Sequence, residues 1–225
     1  MTTFECNIVA PMPELTASFD QYIDYSEYHL LAANNAMVEA EKIEIRFALT
    51  KKADELKNHM AYVSSCVMCC VAALESKINE RVFLHKNNID KIQINIDPIA
   101  QKIFPKLKIV KLSQHILDIT SVSTKYDILW HLSNKCYLPN SPFKENLEYL
   151  ANLRNSLTHY TPEWRSESKQ HKKLQNSRKN KFTLNPFYPD GKETFFPFSL
   201  MSASCAKWAL QTCQEALQRL PNLNG

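Results

Sequence analysis

Glycine is nearly missing from this chain: two residues in 225, against an average usage of about 7%. β-Hairpin turns, dinucleotide-binding βαβ turns and phosphate-cradling loops all need glycine where the backbone takes positive φ. Its scarcity argues against them and for helices. A strong charge of either sign is also lacking, since 27 Lys and Arg stand against 23 Asp and Glu for a net +4. That balance is only weak support for a polyanionic partner. Long apolar runs are absent as well: the longest, Cys66 to Leu74, falls well short of the roughly 20 residues that span a bilayer. The N-terminal MTTFECNIVAPMPE has no basic region followed by an apolar stretch, so no secretion signal is expected. Seven cysteines, odd in number and without a regular framework, read as reduced thiols. The expectation is a soluble, cytoplasmic protein with no membrane association.

What is present is helix-forming material. The 44% hydrophobic and 22% charged fractions are ordinary for a globular chain and suffice for one domain with a sizeable core. From Thr16 or Ser18 to Asp97 there is neither glycine nor proline, which predicts a helical hairpin over 16–85. Its first helix carries Phe19, Tyr22, Ile23, Leu30, Ala33, Met37 and Ala40 and is expected to end near Lys42. Ile43 to Phe47 alternate with period two and are read as a break or short extended link. The second helix, about Lys52 to His85, is apolar nearly all round from Val63 to Leu74, the mark of a central bundle helix. Within it Cys66, Cys69 and Cys70 lack a second ligand cluster, so they are read as packing thiols rather than metal ligands. Glu75 is expected to have a partner, and Lys77 to be solvent-exposed.

The stretch after His85 is turn-rich, with one short helix between Pro98 and Pro105. Residues 112–161 hold the next helices: Ser113 to Ser133 in two pieces joined near Ser121 to Ser123, then a helix capped by Ser141 with Pro142 in its first turn. Over 165–198 the composition shifts. Seven basic residues, Arg165, Lys169, Lys172, Lys173, Arg178, Lys179 and Lys181, stand against Glu167, with Leu174 almost the only apolar residue. This reads as an exposed loop, either a solvated insertion or an electrostatic collar for a polyanion. Phe182, Phe187, Tyr188, Phe195, Phe196 and Phe198 follow, interleaved with prolines, and are expected to pack on the bundle. Ser199 or Ser202 opens a last amphipathic helix over 199–220, closed by Pro221. The fold class is all-α, an up-and-down helical bundle with long irregular loops in a single domain over 1–225.

The sharpest feature is Leu150 to Trp164, LANLRNSLTHYTPEW. Leu147, Leu150, Ala151, Leu153 and Leu157 make an apolar helical face, and Pro162 must end the helix. Asn155 and His159 stand at i,i+4 with Arg154 on an adjacent sector. A guanidinium, an amide and an imidazole can thus look into one cleft. The other histidines are scattered without a ligand pattern, and there is no glycine-rich phosphate loop, nucleophile elbow or HExxH. No cofactor or metal is called for. A purely structural role for the trio is also open: Arg154 paired with Glu75 or Glu148, and His159 capping the helix end.

Arg154-Asn155, three residues and then His159 on a late bundle helix, preceded by LESKIN at Leu74 to Asn79, resemble the HEPN superfamily (higher eukaryotes and prokaryotes nucleotide-binding). In architecture the likeness runs from about Tyr22 to Leu220. It implies a helical bundle that forms a homodimer with motif helices from both protomers lining one cleft, and a metal-independent endoribonuclease. The chemistry agrees: cleavage by 2′-hydroxyl attack needs a base, an acid and cations on the phosphate. Histidine titrates in the required range, and arginine presents a fork to phosphate oxygens. Two-fold symmetry supplies both acid and base from one His159 per chain. On this reading Arg154 binds the scissile phosphate, His159 transfers protons and Asn155 orients, with Glu75 and Tyr160 in support. RNA is the substrate, the basic residues of 165–181 its further contacts, and an antitoxin or inhibitor protein a further partner, in toxin–antitoxin or phage-defence biology. Family toxins can be silenced by modification of a Tyr two residues after the His. Here Thr161 occupies that place and Tyr160 falls one early, so that regulation is not carried over. A catalytically silent nucleotide- or protein-binding module is the alternative.

Overall fold

The computed structural model describes residues 24–91, 112–119, 121–133, 141–160, 173–174, 176–178, 180–188 and 196–223. Among them all regular structure is helical: α1 (Ser26–Thr50), α2 (Leu56–Leu84), α3 (Lys86–Lys91), α4 (Leu112–Asp118), α5 (Val122–Leu132), α6 (Pro142–Thr158) and α7 (Ala203–Gln218). The expected helix start at Thr16 or Ser18, the helix between Pro98 and Pro105, and Arg165, Lys169, Lys172 and Lys179 lie outside the described residues. Asp24 and Tyr25, expected inside the first helix, are not helical, and α1 begins at Ser26, whose N–H bonds the Asp24 carboxylate at 2.8 Å.

α2 is the hub, touching every other described helix. Val63, Cys66, Val67, Cys70, Val71, Ala73, Leu74, Ile78 and Val82 are all essentially without solvent contact. By length and composition alone it could cross a membrane, yet here α1, α5, α6 and α7 cover its apolar residues. The cysteines pack in these seams: Cys66 donates to the Ala206 carbonyl (3.4 Å) and Cys213 to that of Cys70 (3.1 Å). Burial pushes the Cys205 thiol well above its usual value, which suppresses thiolate chemistry.

α1 does not break at Ile43. The helix continues to Thr50 because Ile43 is buried in the core and Phe47, one turn on, stacks with Phe187 at 4.0 Å between ring centroids. These are i,i+4 neighbours on one face, so the period-two reading was accidental. The chain turns instead at Lys51, which closes the helix in the left-handed region (φ 56°) with its N–H on the Phe47 carbonyl. Lys77 is likewise not solvent-exposed: half-buried, it pairs with Asp24 (2.7 Å) and Glu80 (2.6 Å). Residues 86–91 form a helix rather than a turn, anchored by buried Ile89, whose N–H reaches the His85 carbonyl.

Capping serines set the later helices. Ser121, Ser141 and Ser202 each accept from the backbone N–H three residues on, the usual N-cap bond. Pro142 takes the first turn of α6, where its missing N–H costs nothing. One further junction fixes α1, α2 and α7 together. Glu44 Oε1 accepts from the Ala203 N–H at the start of α7 (2.7 Å) and faces His59 Nε2 (3.0 Å). A carboxylate only accepts, so the fully buried His59 presents Nε2–H there. Nδ1 has no hydrogen-bond partner.

Candidate active site

The motif lies at the C-terminal end of α6, which holds Leu147, Leu150 and Leu153 in the core. Arg154, one turn past Leu150, borders that buried face, while Asn155 and His159 lie away from it. Arg154 extends toward α2. Its Nη2 is 3.4 Å from Glu75 Oε2, and its Nη1 donates to Asn155 Oδ1 at 3.0 Å. Glu75 in turn faces Lys125 of α5, 3.6 Å from Oε1. Lys125 is 1% exposed, and its ammonium donates to Asn79 Oδ1 (2.9 Å) and the Leu117 carbonyl (3.1 Å). Polar contacts thus run without interruption from the interior to the surface: Lys125, Glu75, Arg154, Asn155.

The arrangement follows from helix geometry. Glu75 and Asn79 are one turn apart on α2, so both point at the same spot. Lys125 sits between Val122 and Leu129 at helical spacing, on the apolar stripe of α5, which drives it inward. A buried ammonium needs oxygen partners, and the carboxamide, carbonyl and carboxylate supply them. Glu75 is then a carboxylate shared by two cations, and it fixes the guanidinium at the surface end.

Asn155 and His159 are exposed. His159 is the residue that closes α6, with φ −109° and ψ 42°, and its backbone N–H still bonds the Asn155 carbonyl at 2.9 Å. The imidazole therefore stands where the helix ends. Thr158 moors this end, bonding the Arg154 carbonyl (2.9 Å) and reaching Met68 Sδ of α2 (3.5 Å). Tyr160 turns toward buried Phe196, ring centroids 6.3 Å apart. So Glu75, Arg154 and Asn155 are joined in one network, while His159 and Tyr160 follow just past the helix terminus. Glu148 is not the partner of Arg154; it lies 3.5 Å from Lys144.

Of the basic residues described, Lys173 is exposed, and Arg178 and Lys181 are half-buried. This part of the segment is docked rather than a solvated insertion. Leu174 is buried, its carbonyl accepts from the Tyr149 hydroxyl (3.0 Å), and Lys181 donates to Asn146 Oδ1 (2.6 Å). Tyr149 and Asn146 both belong to α6, so the docked residues lie against the helix that carries the motif. Phe182, Phe187 and Phe196 pack on the bundle as expected for the aromatic connector.

Sequence reasoning missed Lys125 and Asn79. The available signal was a lysine on an apolar helical stripe. Among the described residues no group of three or more His, Cys, Asp or Glu is placed to hold a metal ion. Comparison of the chain with models of known families, with curated proteins and with solved structures finds no match.

Proposed function

We propose that this protein is a metal-independent endoribonuclease of HEPN type, acting in the cytoplasm as a homodimer whose two motif helices line one composite site. The observation that carries the reading is the end of α6. There Arg154 is oriented by Glu75 from the central helix while Asn155 and His159 face outward. Arg154 neutralises the scissile phosphate with the N–H groups not directed at Glu75 and Asn155. His159 of one protomer takes the 2′-hydroxyl proton, and the same residue of the partner protonates the leaving 5′-oxygen. The 2′-oxygen–phosphorus bond forms as the 5′-oxygen–phosphorus bond breaks, leaving a 2′,3′-cyclic phosphate and a 5′-hydroxyl.

The test is incubation of purified protein with total RNA in EDTA, followed by end-group analysis. Cleavage by the parent that is lost in His159→Ala and Arg154→Ala supports the assignment; equal cleavage by parent and variants refutes it. Light scattering checks the dimer, and a strict monomer at high concentration removes the composite site. The Arg154–Glu75 pair itself favours a second reading, a catalytically silent helical module in which the motif is structural. Absence of any motif-dependent cleavage selects that one.

A further inference from the structure

A concavity lies away from the α6 terminus, between residues 180–183 and the outer face of α7. It is an open groove of about 450 Å³ lined by Asn180, Lys181, Phe182, Lys207, Trp208 and Gln211, with Thr183 and Ser204 at its edge. The lining holds two ammonium groups, two aromatic rings, amides and hydroxyls, and no carboxylate.

Lys181 makes its described contacts with neutral groups: the Asn146 carboxamide (2.6 Å) and the Tyr149 ring (5.7 Å to the centroid). Neither cancels its charge, and an ammonium has three donors. Lys207 stands on α7, 3.7 Å from Glu41, both side chains largely in solvent. Such a pair is loose and readily exchanged. Phe182 is half-buried and braced by Trp208 (5.4 Å between centroids) and Tyr149 (6.1 Å), so it is a rigid apolar surface that needs no further ordering on binding. Asn180 is held at φ 67°, a conformation that Asn tolerates better than most residues, and with Gln211 it offers paired amide donors and acceptors.

Cations beside a braced ring and amide groups match a flat, polar-edged, anionic unit. We infer that this groove binds an unpaired nucleotide, its base against Phe182 and its phosphate at Lys181 and Lys207. Single-stranded sites combine these two elements, aromatic stacking and backbone cations. Asn146, which holds Lys181, precedes Arg154 by eight residues on α6, about 12 Å along the axis. The groove therefore offers a strand a hold upstream of the motif. The inference rests on the preceding section for RNA as the polymer, but not on its cleavage.

The test uses the full chain carrying His159→Ala, with a dye-labelled single-stranded oligouridylate as probe, read by fluorescence anisotropy. Binding is expected, with Phe182→Leu weakening it about fivefold or more. Lys207→Gln, at an exposed position that does not endanger folding, should lower the dependence of log affinity on log salt by roughly one counterion; Lys57→Gln, on α2 outside the groove, should not. Affinity for the oligonucleotide well above that for uridine monophosphate identifies a strand; equal affinity identifies a free nucleotide. No binding, unchanged binding by both groove variants, preference for a duplex of the same length, or displacement by polyglutamate overturns the inference. A parent that binds through the groove without cleaving leaves it standing and sinks the ribonuclease reading. A parent that cleaves, with groove variants binding normally, does the reverse.

Discussion

Two polar junctions are built into this bundle, and they differ in where they end. At one, Glu44 joins the α7 backbone N–H and the buried His59; every partner is internal or main chain. At the other, Glu75 joins buried Lys125 to Arg154, which continues to exposed Asn155. The first is closed and fixes helix ends against one another. The second is open, and it places a buried cation behind a surface guanidinium. Buried ion pairs are weak evidence of stabilisation, because desolvation offsets their attraction. A junction that could have been replaced by apolar packing and yet leads to the surface is therefore the better candidate for function.

The contrast can be broken most sharply at the open end. His159→Ala and Arg154→Ala should each lower the rate of RNA cleavage by about 10²–10⁴. His159→Ala should leave the thermal midpoint close to the parent's, as substitutions at exposed positions usually do. Parent-like cleavage by either variant would make both junctions structural. Next in size is Lys125→Met, which leaves Glu75, Asn79 and the Leu117 carbonyl short of a donor. Urea denaturation should show a loss of about 3 kcal/mol, partly recovered when Glu75→Gln is added. Full additivity of the two changes would mean that the pair is not coupled.

Glu44→Gln sharpens the closed side. One accepting oxygen remains, but the charge at the α7 N-terminus is lost, so a decrease of about 1 kcal/mol is expected, with RNA cleavage unchanged. The smallest effect belongs to Asp24. Burial alone would raise its carboxyl, but hydrogen bonds from Lys77 and Ser26 outweigh that and hold it below the ordinary value. A depressed folded-state pKa contributes stability above the unfolded value of about 3.9, which is lost as pH falls through the folded one. Asp24→Asn should thus lower the thermal midpoint slightly at neutral pH, with the difference closing in acid. A gap that does not vary with pH would exclude the charge as its origin.

What the sequence disclosed was local. Ser141 announces its helix start, and Ser121 and Ser202 mark theirs to within about one turn, because a side-chain oxygen satisfies an N–H three residues away; the all-round apolar stretch of α2 requires cover on all sides. The motif residues at the end of α6 were legible for the same reason; the partner of Arg154 was not, since Glu75 and Glu148 both stood open until α2 was placed beside α6. Less legible was whatever depends on a neighbouring element. Lys125 looks like any helix-surface lysine until α2 supplies Glu75 and Asn79. Ile43 to Phe47 mimic a strand until Phe187 arrives to stack on Phe47, and Leu174 says nothing until Tyr149 fastens its carbonyl. The groove by residues 180–183 combines segments far apart in sequence, so no pattern along either one reveals it.

The turn at Lys51 has an implication for how the chain has been shaped. A side chain bearing Cβ in the left-handed region costs about 1–2 kcal/mol, and the residue that avoids this cost is the one the chain scarcely contains. Replacement by glycine at that position, net of the greater freedom it gives the unfolded state, is a stabilising change within reach of a few base substitutions.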